Sequence, residues 1–433
     1  MSSDPSQIQI AQLQEENRRL RVAVEELSIL NDIATAITST QSLEQIVDMM
    51  VQKCVKHLRV EQGVVMLLDE KDQDNPFHTM VRKKDSRAGF LPFRLDTQLT
   101  GWMLKNRTSL LINDFKSDDR FQYLSGEDFP IRTLLSVPMQ LKGKLMGLLT
   151  VFNKRDEAGF TGNDQRLLAI IAAQSAQVIE NARLYLEEQT LQRMQEDMRL
   201  AAEIQGNLLP KDFPAIPGYE ITGKSIPAKE VGGDYFDFIP VDDHQIAFCL
   251  GDVSGKGMPA ALLMANLQAT LRGQTLLRVN SKECLTRANK LLFLSTDSKK
   301  FATLFYGVLD TMNHQLIFCN AGHDNPFLIS DSNELKRLKT GGIVLGFIEE
   351  YNYEEETILL NRDDVLVLIS DGITEAMNAS EEEFGESRLA EVIQTNREKP
   401  AEEIIEHILA AVKLHTGETE QMDDMTVVVI KRQ

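Results

Sequence analysis

The sequence predicts an α+β chain of more than one domain: a leading helix, a small α/β region, a long connecting helix, and a C-terminal domain of doubly buried strands. Three observations carry this. At 433 residues the chain is about three times the length of a typical domain. Short apolar runs bounded by Gly, Asp or Asn alternate with segments of helical periodicity. Between them lies a stretch of more than 40 residues without proline, whose last glycine falls near its end, as one continuous helix requires.

Composition narrows the class. The net charge is −19, so the surface repels phosphate backbones and anionic headgroups, and neither nucleic-acid binding nor membrane docking is expected. Hydrophobic residues make up 42%, enough for globular cores. No apolar run approaches the ~20 residues of a membrane span, and the polar, acidic N-terminus has no secretory apolar core. Cys54, Cys249, Cys284 and Cys319 lie within apolar segments without paired spacing, so they read as buried, reduced thiols. A cytoplasmic location is expected.

Residues 1–32 form the first segment. Ile10, Leu13, Asn17, Leu20, Val24 and Leu27 recur in steps of three and four, a heptad seam with Asn17 at an a position. That pattern suits a parallel two-stranded coiled coil, and hence a homodimer; an amphipathic helix packed on its own domain is the alternative.

Residues 33–182 read as helix, strands, helix. LEQIVDMMVQKCVKHL from Leu43 to Leu58 is helical, with Ser42 as its cap, and GVVMLLD, TSLLIND, LLSVPMQ and KLMGLLTVFN are strands. This order resembles a GAF domain, a small sensory α/β fold, and implies a small-molecule or protein input there. Asn153, Lys154, Phe160 and Asp164 are similar to the signature of some cyclic-nucleotide-binding GAF domains, although Gln165 stands where that signature has Glu. The structural alternative is an Asp cap with a Phe packed under the last helix. Cys54 sits mid-helix, which argues against bilin attachment.

Residues 183–206 continue the long helix as a linker. Leu184, Leu191 and Met198 recur every seven residues, whereas the complementary positions are Asn181, Glu188, Gln195 and Ala202. Such a half-polar seam pairs weakly, as a register-shifting linker or a solvated connector would. LLPKDFPAIPGYE then ends the helix with three prolines and opens the last domain, residues 207–433.

That domain carries the chemistry. IAFCLGDVSGKG ends a strand at Asp252, DVLVLISDGITEA ends one at Asp371, VGGDYFDF supplies Asp234 and Asp237, and QMDDMTVVVI supplies Asp423 and Asp424. Leu366, Val367, Leu368 and Ile369 are apolar on both parities, as in a sheet covered by a second sheet and by helices. Carboxylates gathered at such strand ends repel one another and are costly to bury unpaired. Hard divalent cations with oxygen ligands relieve that cost, and no His–Cys set suited to zinc appears. Gly255 and Gly257 permit positive φ after Asp252, and Pro259 suits the first turn of the following helix. The Walker spacing of a phosphate loop is absent.

Taken together, VGGDYFDF, GDVSGKGMPAAL, NAGHDNP, LISDGITEA and DDMTVVVI resemble, in order and spacing, the PPM-type metal-dependent protein phosphatases of the SpoIIE/RsbU-like branch, with the AEIQGNLLP lead-in also present. The resemblance spans about Ala201 to Arg432. It implies an αββα sandwich with two Mn²⁺ or Mg²⁺ ions. Carried over residue by residue, Asp252 bridges both ions, Val253 offers its carbonyl, Asp371 and Asp423 hold one ion, and Asp234 holds the other directly or through water. Asp424 falls behind these ligands.

The implied activity is hydrolysis of phosphoserine or phosphothreonine on a regulatory protein by a metal-activated water. A phosphorylated anti-sigma-factor antagonist of the STAS type is the implied partner. Ser254 stands where eukaryotic relatives have His, which leaves the general acid open, with His323 as one candidate against a turn-stabilising role. Two other functions compete. A catalytically silent pseudophosphatase would only dock a regulator. A diguanylate cyclase is suggested by Gly232, Gly233 and Asp234, but Tyr-Phe-Asp follows where Glu-Phe is needed.

Overall fold

The computed structural model describes residues 9–10, 12–17, 20, 24, 43–68, 77–84, 97–121, 130–296 and 300–433. The chain divides into two compact units, 1–191 and 192–433.

In the first unit, α1 (Leu43–His57) leads into β1 (Val60–Leu68) and β2 (Phe77–Lys84). There follow α2 (Thr97–Asn106), β3 (Leu110–Ile112), β4 (Leu134–Leu141) and β5 (Lys144–Lys154). The strands form one antiparallel sheet in the order β2-β1-β5-β4-β3. Its strands are apolar on both sides. Val65, Val137, Leu149 and Val151 pack under Val47 and Val51 of α1 and under Leu168 and Ile171 of the long helix α3 (Gly162–Leu208). Val64, Met66 and Leu148 on the opposite face meet Leu99 and Met103 of α2.

The helix α3 runs unbroken for 47 residues. Its start is a capping box: Thr161 Oγ1 accepts from the Asp164 amide, and Asp164 Oδ2 accepts from the Thr161 amide at 2.7 Å. Thr161 is therefore the cap, and Asp164 is its partner three residues on. Beyond the first unit's core the helix is solvated, with Leu184 and Leu191 exposed and Met198 half-buried. In the leading segment residues 12–17 are helical and Ile10, Leu13, Leu20 and Val24 are exposed, whereas Leu27 and the expected cap Ser42 lie outside the described residues.

The second unit is a double sandwich. One sheet contains β7 (Tyr235–Pro240), β8 (Gln245–Val253), β9 (Ala302–Asp310), β10 (Gln315–Ala321) and β13 (Gly341–Gly342), with β14 (Glu356–Leu359) also paired to β10. The other runs β12 (Leu335–Arg337), β11 (Phe327–Ile329), β15 (Val365–Ile369), β16 (Met425–Arg432), β6 (Tyr219–Ile226).

Alternation decides what each strand touches. Leu366 and Leu368 of β15 face the other sheet, where Phe248, Phe305 and Phe318 fill the space between the layers. Val365, Val367 and Ile369 face outward onto α7 (Glu386–Asn396) and α8 (Ala401–Thr416) through Leu389, Ile393, Ile404 and Ile408. The first sheet is covered in turn by α4 (Met258–Thr275) and α5 (Ser281–Ser295), with Met264, Leu267 and Leu285 against Cys249, Leu304 and Tyr306. Helix, sheet, sheet, helix is thus the layer order, as the doubly apolar strands required. On α4, Leu263 and Met264 are buried, whereas Leu262 is 66% exposed because it falls on the outer face.

Candidate metal centre

The acidic residues converge because neighbouring strands run antiparallel. Asp252 lies next to the end of β8, and Asp234 directly precedes β7, its paired neighbour. Asp371 opens the short helix α6 (Asp371–Thr374) after β15, and Asp423 and Asp424 precede β16, which pairs with β15. The end of one strand and the start of its partner therefore meet at one edge of each sheet.

Burial and neighbouring charge act on several of them together. Burial pushes the Asp252 carboxyl up to about 7, and the charges of Asp371, Asp423 and Asp424 add to the shift. Asp234 is fully buried and driven far above the ordinary carboxylate range, first by desolvation and then by Asp252. Desolvation also raises Asp371, followed by the charge of Asp423. One cation answers this crowding directly: Lys256 Nζ sits 2.7 Å from Asp423 Oδ2.

The backbone is shaped for close approach. Gly255 and Gly257 have φ of 103° and 72°, and Pro259 stands in the first turn of α4. A side chain at Gly233 would place its Cβ 2.9 Å from Asp252 Oδ1 and 3.1 Å from the Val253 carbonyl oxygen, so only glycine fits there.

Neighbouring acids have different work. Asp424 accepts from the amides of Ala228 at 2.8 Å and Gly233 at 2.6 Å, tying two loops together. Asp423 remains turned toward Lys256. Asp237 leaves the cluster altogether: it is buried under α4, held by Arg272 Nε at 2.7 Å and by the Tyr235 hydroxyl at 2.7 Å.

The donor set is all oxygen and strongly anionic, which suits a hard divalent cation such as Mg²⁺ or Mn²⁺. Among the described residues no three His, Cys, Asp or Glu side chains stand close enough together to form a finished metal cage. The donor chemistry suits such an ion, and these carboxylates would have to draw inward to hold one.

His323 and Ser254 are engaged in the framework. His323 is buried, its Nδ1 lies 2.9 Å from Thr303 Oγ1, and its amide donates to Asn320 Oδ1 at 2.8 Å. Burial depresses its imidazole to about 4, so at neutral pH it has no proton to give as an imidazolium acid. Ser254 Oγ accepts from the Phe301 amide, and its own amide donates to the Phe301 carbonyl.

In the first unit the GAF-like signature is spent internally. Asn153 (φ 54°) accepts from the Arg132 amide and donates to Glu61, and Lys154 Nζ lies 2.6 Å from Asp164 Oδ1. Phe160 is buried and exchanges backbone hydrogen bonds with the Asn113 side chain. Cys54 is buried, and desolvation pushes its thiol up to about 12, the opposite of an attachment cysteine.

Sequence reasoning passed over two residues at the centre. Lys256 lies within GDVSGKG, where a lysine in a glycine turn beside an expected acidic cluster was the available sign. Gln205 lies in the AEIQ lead-in and reaches Gly232, two residues before Asp234.

Two facing, mostly antiparallel sheets flanked by helices, with carboxylates at one edge, form the fold of PP2C-type phosphatases. The SiaA-PP2C domain of Pseudomonas aeruginosa shares this fold, with a TM-score of 0.50 and 21% identity over 56% of this chain and 98% of that one. The family model for stage II sporulation protein E (SpoIIE) matches residues 242–433, and a GAF-domain model matches residues 40–180. Phosphoserine phosphatase RsbU of Bacillus subtilis is 31% identical over 254 residues, covering 57% of this chain and 75% of RsbU. Protein IcfG of Synechocystis is 28% identical over 311 residues, covering 65% of this chain and 47% of IcfG. The chain belongs to the SpoIIE family of PP2C-type phosphatases, with a GAF domain preceding the phosphatase domain. None of the helices among the described residues is long and apolar enough to cross a membrane.

Proposed function

We propose that the protein removes phosphate from phosphoserine or phosphothreonine on a regulatory protein, most simply a STAS-type anti-sigma-factor antagonist, under control of an input at the GAF domain. The observation that carries this is the gathering of Asp234, Asp252 and Asp371 at the strand ends, each raised first by desolvation and then by a neighbouring acid, a cost that bound divalent cations would cancel. Similarity to RsbU supports a phosphoserine substrate.

In this reading Asp252 and the Val253 carbonyl would help hold both of two Mn²⁺ or Mg²⁺ ions, Asp371 and Asp423 would hold one of them, and Asp234 the other. When bound, such ions would supply Lewis acidity and lower the pKa of a water held between these residues. Thr426 Oγ1, 2.5 Å from Asp234 Oδ2, holds that carboxylate in orientation. Lys256 adds positive charge at the rim. With His323 neutral and Ser254 bonded to Phe301, solvent protonates the leaving serine oxygen.

The exposed apolar residues of 10–24 and 184–204 support pairing of two chains through helices, in a cytoplasmic homodimer. Changes in that pairing would reach the glycine loop and α4. Cysteine pairs locking the linker in different registers should then give different turnover; equal rates in every register would remove the linker from the mechanism.

The primary test is phosphate release from a phosphoserine STAS domain by the full chain, titrated with Mn²⁺, beside Asp252→Asn. Metal-dependent turnover that disappears in the variant is expected. Undiminished metal binding with no turnover would instead favour a docking module.

A further inference from the structure

The AEIQGNLLP segment has no part in the chemistry so far, yet one of its side chains touches the centre. Gln205, in the last turns of α3, donates from Nε2 to the Gly232 carbonyl at 2.7 Å and accepts at Oε1 from the Gly232 amide at 3.0 Å. A side-chain amide carries one donor group and one acceptor, so it can satisfy both polar groups of a single residue, as a neighbouring strand would. Gly232 is buried near the end of the loop that leads into β7, with no strand partner, and these groups would otherwise be costly to leave unpaired.

What Gln205 grips is a tightly packed part of the site. A Cβ at Gly232 would lie 2.3 Å from Asp424 Oδ2, and the next amide, Gly233, donates to that same oxygen at 2.6 Å. Gly233 in turn lies against Asp252 Oδ1 and the Val253 carbonyl, and Asp234 follows immediately. The turn is thus held on one side by Asp424 and on the other by a residue of the linker helix. The end of that helix is also tied to α4, where Gln268 Nε2 donates to the Leu208 carbonyl at 3.4 Å.

We propose that Gln205 is a positioning residue of the metal centre: its amide fixes the Gly232–Gly233 turn, and the turn sets Asp234 opposite Asp252. This rests on the reading of those two carboxylates as metal ligands. Gln205 does not touch substrate or ion. It decides whether the buried carboxylate is delivered at the right place before an ion arrives.

The test uses the full chain with Gln205→Leu, which keeps bulk and loses both bonds, and Gln205→Asn, which is too short to span them. Arg193→Gln, at an exposed position on the same helix and outside both seam rows, is the control. In the ion-free protein, hydrogen exchange at the Gly232 and Gly233 amides should rise at least about 10-fold in both Gln205 variants, while amides of β15 and β16 keep their protection. Mn²⁺ affinity, read by electron paramagnetic resonance, should fall about 10-fold, as loss of an outer-shell partner does. Arg193→Gln should change neither.

Wild-type exchange and wild-type Mn²⁺ affinity in both Gln205 variants would overturn the proposal. If Gln205→Leu lost protection throughout the domain, Gln205→Asn alone would decide. Mn²⁺ binding that depends on Asp252 but not on Gln205 defeats this proposal only. Wild-type protein that binds no Mn²⁺, or binds it equally with Asp252→Asn, defeats the metal reading and this one with it.

Discussion

Lys256 Nζ stands 2.7 Å from Asp423 Oδ2 and donates to the Met422 carbonyl at 2.7 Å, so the glycine loop after Asp252 carries its own cation onto the opposite sheet's acidic corner. The partial exposure of both side chains keeps this pair weak, within about 1 kcal/mol. An ion taken up by Asp423 must compete with that ammonium.

Replacing Lys256 with Gln should therefore tighten binding of the ion held by Asp423 by roughly 5-fold, the equivalent of about 1 kcal/mol. Calorimetric Mn²⁺ titration at low and high salt would measure it. The gain should shrink as salt screens the pair. An unchanged affinity at low salt would mean that the ammonium does not compete.

The acidic cluster should make the ion-free protein sensitive to pH. Asp252 has a folded pKa of about 7, raised from an ordinary carboxylate value, so the folded state holds its proton more tightly than the unfolded chain does. Between about pH 4 and pH 7 the native state then binds more protons than the unfolded state, and this group's contribution to stability declines as pH rises. Asp252→Asn should remove that decline and raise the ion-free melting temperature at pH 7.5 by at least about 3 °C while abolishing turnover. A lower melting temperature in the variant would contradict the repulsion.

Asp237 and Arg272 provide a contrasting acid. Removing the guanidinium by Arg272→Ala leaves a fully buried carboxylate without its cation. The expected cost is about 2–3 kcal/mol in urea unfolding, below the full value for a buried pair because Arg272 is half-exposed and the Tyr235 hydroxyl remains. Mn²⁺ affinity should be unchanged, which separates this pair from the metal centre.

Adjacent aspartates should respond oppositely to the same substitution. Asp423→Asn is expected to weaken Mn²⁺ binding with little change in stability. Asp424→Asn should lower stability by about 1–2 kcal/mol, because Asp424 accepts from two backbone amides that tie separate loops. Thermal melts and Mn²⁺ titration of the two variants, run side by side, would check this exchange of effects.

Much was legible in the residues themselves. Local chemistry set β1, β3, β4 and β5, the unbroken helix up to Leu208 and the glycine-bent loop after Asp252, because apolar period, proline and glycine act over neighbouring positions, whereas the polar β2 went unread. The both-parity run from Val365 to Ile369 also announced a strand covered on two faces. The motif set placed four aspartates at strand ends.

Tertiary structure alone decided how those aspartates divide their labour. Asp234 and Asp237 are three residues apart in one motif, yet antiparallel pairing turns the first toward Asp252 and the second toward Arg272 of α4. Asp423 and Asp424 are adjacent, yet one meets Lys256 while the other binds the Gly233 amide. Gln205 reaches a glycine 27 positions away. Partners of that kind come from other elements, so their identity depends on packing and charge balance in the folded chain, which no local pattern contains.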